Sequence, residues 1–216
     1  METTEGPRRS RAGWLGKRAI DIVGSAIGLL VLSPLLLVVV LLIRLTSPGP
    51  ALFRQARVGA GGRTFTLVKF RTMVVNDDDS ALRDAVQREL DGTRDEEDGS
   101  FKLLHDPRVT RVGSVLRRTS LDEVPQLLNV LLGQMSLVGP RPALPWEVAL
   151  FPPELRRRDE VPPGLTGLWQ VSGRSRLGTP DMLRLDVEYV DSWSLGLDLS
   201  ILVRTLPVLL RGDGAR

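Results

Sequence analysis

The sequence predicts a helix-rich α+β fold, one domain built around a small β-hairpin or sheet and fixed to a membrane by an N-terminal helix. Three patterns predict it. An apolar run extends from Ile22 to Ile43, with Ser33-Pro34 at its midpoint. Two short β-branched and aromatic stretches, 51–55 and 64–70, flank a glycine-rich turn at 59–62 and read as a hairpin. Helical spacing of leucines then recurs at about 120–132, 180–192 and 198–211. A chain of 216 residues is long enough to bury a core as one domain.

The first 16 residues are polar and basic and read as a loose tail, ending in an amphipathic approach to the membrane at Trp14 and Leu15. The apolar run follows. Roughly 22 residues at ~1.5 Å each reach about 33 Å, the thickness of a hydrocarbon core. Proline removes a helix hydrogen bond and favours a bend, and a bent helix reaches only part-way across. Lys17-Arg18 before the run and Arg44 after it both resist translocation. Two readings fit these features: a re-entrant helix that dips in and returns, and a single kinked span, since proline is tolerated in spanning helices. A signal peptide fits less well, because no small-residue cleavage site follows the run. Ser47-Pro48-Gly49-Pro50 ends the helix.

Residues 76–98 are acidic, with Asp77-Asp78-Asp79 and Asp95-Glu96-Glu97-Asp98 flanking a helical pattern that reads as solvated. His105, before Asp106-Pro107, reads as a turn residue. Segments 145–153 and 199–210 set Trp or Arg beside aliphatic residues, a pattern that suits the headgroup layer; core packing is the alternative for 199–210.

The chain has no cysteine, which excludes a disulfide framework and thiolate chemistry. Its pI of about 9.9 comes from arginines, many in glycine- and proline-rich segments. Guanidinium matches phosphate bidentately. A single tyrosine and the lack of zinc-ligand spacing argue against nucleic acid, and the apolar run favours lipid headgroups or a nucleotide.

Chemistry concentrates at Arg117-Arg118-Thr119-Ser120-Leu121-Asp122-Glu123-Val124-Pro125-Gln126. Ser120 and Glu123 have capping-box spacing, which sets Asp122 and Glu123 in a first helical turn, and Pro125 moves the helix start later. Acidic residues there complement the helix dipole without any further role. The same position also suits a carboxylate that binds Mg²⁺ or attacks phosphorus. Lys69, Arg71, Arg117, Arg118 and Arg141 form a candidate anion cradle around the pair, and Gly173-Arg174 reads as lying near a phosphate or a nucleoside. Carboxylates, Mg²⁺ and several cations are sufficient equipment for phosphoryl transfer. Arg108 and Arg111 are weaker candidates.

From Lys17 to about Thr205 the chain resembles the monotopic phosphoglycosyl transferases, also called bacterial sugar transferases. The matching stretches are KRAID (17–21), Ser33-Pro34, SPGPALFRQARVG (47–59), KFRTM (69–73), DPRVTRVGSVLRRTSLDEVPQLLNVLLGQMSLVGPRP (106–142), PGLTGLWQVSGR (163–174) and DVEYVDSWSLGLDLSILVRT (186–205). The resemblance implies the re-entrant reading, bent at Ser33-Pro34. The organisation is then a tail at 1–16, a re-entrant membrane helix at 17–46 and a catalytic domain with interfacial helices at 47–216. It implies that Asp122 is a nucleophile that takes a phosphosugar from a UDP-sugar and releases UMP, with Glu123 assisting through Mg²⁺ or proton handling. A polyprenol phosphate such as undecaprenyl phosphate then accepts the phosphosugar, the first membrane step of exopolysaccharide, O-antigen or glycoconjugate assembly. The implied location is the bacterial inner membrane, with the active site facing the cytoplasm. Many such proteins carry extra spanning helices before the catalytic part, and this chain reads as the catalytic core.

Overall fold

The computed structural model describes residues 10–74, 80–92, 108–173 and 177–211. Arg174, His105 and the acidic clusters 77–79 and 95–98 lie outside them. The elements run α1 (Arg11–Thr46), β1 (Leu52–Val58), β2 (Thr64–Phe70), α2 (Ser80–Leu90) and α3 (Arg111–Arg118), then a 3-10 helix at Leu121–Gln126. They continue with α4 (Leu127–Leu131), β3 (Ser136–Val138), α5 (Pro145–Leu150) and a 3-10 helix at Pro153–Glu160. β4 (Gly164–Thr166), α6 (Leu168–Ser172), α7 (Thr179–Ser192) and α8 (Leu195–Arg211) complete the chain. The predicted α+β class holds.

Helix α1 begins at Arg11 rather than Lys17, so the expected tail contributes its last residues to the helix. Ser10 Oγ caps the start, accepting from Gly13 N–H at 3.1 Å, and Trp14 stacks on Trp193 with centroids 4.8 Å apart. The N-terminal half of α1 is inverted relative to a water-soluble helix. Lys17, Asp21 and Ser25 face inward and are buried, whereas Ile22, Val23, Ile27, Leu30 and Val31 face outward. Past Pro34 the inward residues become Val39 and Ile43, with Leu37, Val38, Leu41 and Leu42 exposed. A continuous exposed apolar face of this length marks a membrane- or protein-facing surface, and α1 is long and apolar enough to cross a bilayer.

The KRAID segment fastens this helix to the domain. Lys17 Nζ donates to Val138 O and Asp198 Oδ2, both at 2.8 Å. Arg18 grips the end of α4, donating to Val130 O and Leu131 O at 2.6 Å each. Asp21 Oδ1 accepts from Ser136 Oγ at 2.9 Å and Leu137 N–H at 2.8 Å. Two of the three cations that the sequence offers as a topological signal, Lys17 and Arg18, are thus engaged inside the protein. Among the described residues, Arg11 and Arg44 are exposed near the two ends of the helix.

Helix α1 is continuous through Pro34. Pro34 offers no N–H to the Leu30 carbonyl one turn back, and Ser33 Oγ donates to that carbonyl at 2.8 Å. The Ser-Pro pair thereby keeps a backbone acceptor bonded where lipid cannot bond it.

The hairpin forms as predicted, with β1 antiparallel to β2 from Leu52 opposite Phe70 to Val58 opposite Thr64. Phe70, Ala51 and Leu116 pack against Val39 and Ile43, so the hairpin and α3 sit under the second half of α1. Gly113 of α3 lies so close to the Thr72 carbonyl that an added Cβ would overlap it. β3 and β4 form a short parallel pair, and β4 passes directly into α6. A second core joins Val138, Val161, Leu168, Tyr189, Val190 and Ile201 beneath α7 and α8.

Helix α2 corrects the solvated reading of the acidic segment for its described part. Val86 is 1% exposed, and Leu90 packs on Ala143, Phe151, Met182 and Leu183. Glu89 Oε2 accepts from Thr179 N–H at 2.8 Å and Thr179 Oγ1 at 2.6 Å, capping α7 where Gly178 has no side chain to do so. Segment 145–153 also turns inward: Phe151 is core, and Arg83 lies over the Trp146 ring at 5.2 Å. Helix α8 is two-sided, with Ile201 in the core and Leu199, Val203 and Leu206 exposed.

Candidate active site

Asp122 lies where three elements meet: the end of α3, strand β2 and the 3-10 helix at 121–126. The expected capping box does not form. Ser120 adopts a left-handed conformation (φ 55°), the only positive φ at a non-glycine among the described residues, and its side chain makes no cap bond. The Ser120 carbonyl instead accepts from Glu123 N–H at 3.3 Å. Pro125 lacks the N–H that an α-helix would need here, so the segment winds as a 3-10 helix and passes into α4 at Leu127. Backbone strain of this kind collects at functional sites. Leu121 packs on the Val39–Ile43 cluster, which ties the Asp122 segment to the underside of the apolar helix.

Asp122 is 8% exposed. Burial, and then the adjacent Glu123 charge, push its carboxyl up to about 6; Lys69 and Arg117 pull the other way. Glu123 is exposed. Lys69 faces the same space from β2, with Nζ 5.2 Å from the Phe53 ring centre. Burial lowers its pKa and the Asp122 charge opposes that. The result is a carboxylate held in a poorly hydrated position within reach of two opposing charges, Lys69 and Arg117.

Of the predicted cradle, the structure gathers Lys69, Arg117 and Arg141 around the Asp122–Glu123 pair, the last through its charge interaction with Glu123. Arg118 is exposed. Arg71 is used elsewhere: Nη1 donates to Pro48 O at 2.7 Å, and Nη2 to Ser47 O at 2.9 Å and Ser47 Oγ at 2.8 Å. It clamps the exit of α1. Arg174 is outside the described residues.

Two site residues escaped the sequence reading. Arg57 influences Lys69, and Glu147 Oε1 receives Arg141 Nη1 at 3.2 Å. Strand alternation carries a signal for the first. Phe53, Gln55 and Arg57 share a face of β1, and Phe53 pairs across the ladder with Lys69. Nothing local marks Glu147.

Among the described residues no three His, Cys, Asp or Glu side chains cluster as a closed metal site. Mg²⁺ does not need one, since it binds through one or two carboxylates with substrate phosphates and water completing its shell. The Glu123 charge raises the cost of ionising the adjacent Asp122, a conflict that a divalent cation relieves, so the residues fit the ion.

The family model for bacterial sugar transferases matches residues 12–212. The UDP-glucose:undecaprenyl-phosphate glucose-1-phosphate transferase of Caulobacter vibrioides is 44% identical over 218 residues, covering 97% of this chain and 75% of that protein. The exopolysaccharide production protein ExoY of Rhizobium meliloti is 40% identical over 207 residues, covering 94% and 89%. The undecaprenyl-phosphate galactose phosphotransferase of Salmonella typhimurium is 43% identical over 200 residues, covering 92% and 41%. The chain spans about two fifths of the length of several curated relatives it matches, the Salmonella protein among them. With a match over nearly the whole chain, and a buried carboxylate among cations beside an apolar helix, this protein belongs to the bacterial sugar transferase family.

Proposed function

We propose that the protein transfers a sugar-1-phosphate from a UDP-sugar to a polyprenol phosphate, the undecaprenyl carrier in bacteria, by way of a phospho-aspartyl intermediate on Asp122. The observation that carries this reading is the placement of Asp122: buried, flanked by Lys69 and Arg117, and on a segment packed against α1. In the first half-reaction an Asp122 carboxylate oxygen attacks the phosphorus that bears the sugar. The bond from that phosphorus to the bridging oxygen breaks, and UMP leaves with the oxygen. In the second, a phosphate oxygen of the lipid attacks the same phosphorus, forms the polyprenyl diphosphate sugar and returns the carboxylate. Lys69, Arg117 and Arg141 offset charge on the phosphoryl oxygens. Asp122 and Glu123 would hold Mg²⁺, which supplies further neutralisation of the diphosphate. A covalent intermediate lets a water-soluble donor and a lipid acceptor use one nucleophile in turn.

The outward apolar face of α1 supports membrane attachment; α1 runs unbroken through Pro34, and the backbone bond that proline lacks there makes it the point at which a bilayer would bend the helix back, with the catalytic face toward the cytoplasm where nucleotide sugars are made. The exposed Leu199, Val203 and Leu206 of α8 suit the same lipid boundary.

UMP release from a panel of UDP-sugars, with undecaprenyl phosphate and Mg²⁺, tests the reaction class and names the donor. Release with none of them overturns it. A pH dependence follows from the raised Asp122 pKa of the metal-free protein. Attack needs the ionised carboxylate, so the single-turnover UMP burst is expected to fall at acid pH, about tenfold per pH unit below its midpoint. Bound Mg²⁺ favours the ionised form, so that midpoint should move down from about 6 as Mg²⁺ is raised. A midpoint that does not respond to Mg²⁺ contradicts Asp122 as both nucleophile and metal ligand.

A further inference from the structure

We propose that Glu147 is a positioning residue for donor binding: braced by Arg57 from β1, it orients the Arg141 guanidinium toward the space beside Asp122 and Glu123. The inference rests on the phosphosugar-transfer reading above.

Glu147 is 3% exposed, so it does not itself meet a substrate. Its carboxylate is shared among three groups. Oε2 accepts from Leu144 N–H at 2.5 Å, Arg141 Nη1 lies 3.2 and 3.3 Å from the two oxygens, and Arg57 Nη1 lies 3.7 Å from Oε2. Burial works against ionising Glu147, but Arg141, the Leu144 N–H and Arg57 together more than offset it and hold the carboxyl below its usual range. It is therefore an anion, and it bridges cations from two distant segments, strand β1 and the loop after β3.

Each arginine is also braced from a second direction. Arg57 Nη1 donates to Pro142 O at 2.9 Å and Nη2 to Gln55 Oε1 at 2.8 Å. The Arg141 carbonyl accepts from Arg158 Nη2, and Arg158 is ion-paired to Asp186 at 2.7 Å with both side chains 1% exposed. Arg141 is thus pinned by its backbone on one side and by a single guanidinium nitrogen on the other. Its side chain remains 32% exposed, and its remaining nitrogens have no hydrogen-bond partner among the described residues. A guanidinium held by one corner with an open edge is shaped to take two phosphate oxygens. Without Glu147, two neighbouring guanidiniums repel and Arg141 swings free, so the donor must order it on binding.

The test is equilibrium binding of UDP to the full-length protein in lipid nanodiscs, by titration calorimetry. Glu147→Gln is expected to weaken UDP about tenfold or more, the scale on which loss of an orienting partner acts at a polar site. Arg141→Ala should weaken it comparably. In the Arg141→Ala background, Glu147→Gln should change affinity by no more than about threefold, because the group it positions is already gone. Glu147→Asp keeps the buried charge while drawing the carboxylate back, and should weaken UDP several-fold in a protein that still folds. Losses that add in full in the double variant, or native UDP affinity in Glu147→Asp, overturn the positioning role while UMP release by the native protein leaves the reaction class standing. A native protein that neither binds UDP nor releases UMP overturns both.

Discussion

Asp122→Asn is expected to abolish UMP release, by about 10⁴-fold or more, the scale on which removing a covalent nucleophile acts, and at the same time to make the protein more stable at neutral pH. The second effect follows from the first residue's environment. The Asp122 carboxyl is raised from 3.8 to about 6 by burial and by the Glu123 charge. Its protonated form is the one the fold prefers. The associated stability is complete below pH 3.8 and is lost as the pH rises through about 6. A shift of about two units corresponds to about 3 kcal/mol. Asparagine carries no charge at any pH, so in metal-free buffer at pH 8 the variant should gain on the order of 2–3 kcal/mol, and nearly nothing at pH 4. Thermal unfolding at the two pH values in EDTA checks this. A variant that is inactive and also less stable at pH 8 would mean that Asp122 is a structural residue.

The second large effect concerns the attachment of α1. Lys17 Nζ and Asp198 Oδ2 meet at 2.8 Å with side chains 4% and 6% exposed. Tyr189 OH donates to Asp198 Oδ1 at 2.7 Å, and Trp193 Nε1 donates to Oδ2 at 3.2 Å. Removing only the lysine leaves a buried carboxylate without its counter-charge, which costs about 3–5 kcal/mol. Lys17→Met is therefore expected to lower the melting temperature by on the order of 10 °C. Adding Asp198→Asn should restore more than half of that loss, since the amide still accepts from Tyr189 or Trp193 and no charge is stranded. A double variant as unstable as the single one would show that the pair does not act as an ion pair. The consequence for function is direct. Lys17, Arg18 and Asp21 dock α1 onto α4 and β3, which follow the Asp122 segment in the chain, so loosening the helix loosens the site.

The hairpin and the long helices were legible because their periodicities are local: Thr64 to Phe70 alternates as a strand does, and α7 and α8 repeat as helices do. The motif singles out Asp122 as the candidate nucleophile, but the backbone around it does not follow from the motif. A capping box predicts an α-helix from Ser120, and what decides against it is the left-handed Ser120 followed by Pro125. Lys17 and Arg18 show the limit most clearly. In sequence they are a positive flank to an apolar run, and only tertiary contact reveals that Val138, Asp198, Val130 and Leu131 consume them. Arg71 shows a related limit: an arginine in a site motif serves a carbonyl as readily as a phosphate, and here it bonds Ser47 and Pro48. Glu147 was invisible because its partners, Arg57 and Arg141, come from elements distant in the chain.

The central claim is that Asp122 forms a covalent bond to the phosphosugar. It is tested most directly by incubating the protein with its UDP-sugar donor, labelled with ³²P in the phosphate next to the sugar, and no lipid acceptor. One label per active chain is expected, matched by an equal amount of UMP, discharged by hydroxylamine as an acyl phosphate must be and absent in Asp122→Asn. Protein that stays unlabelled, and that releases UMP only once the polyprenol phosphate is added, would mean that the lipid attacks the donor directly and that Asp122 is not the nucleophile.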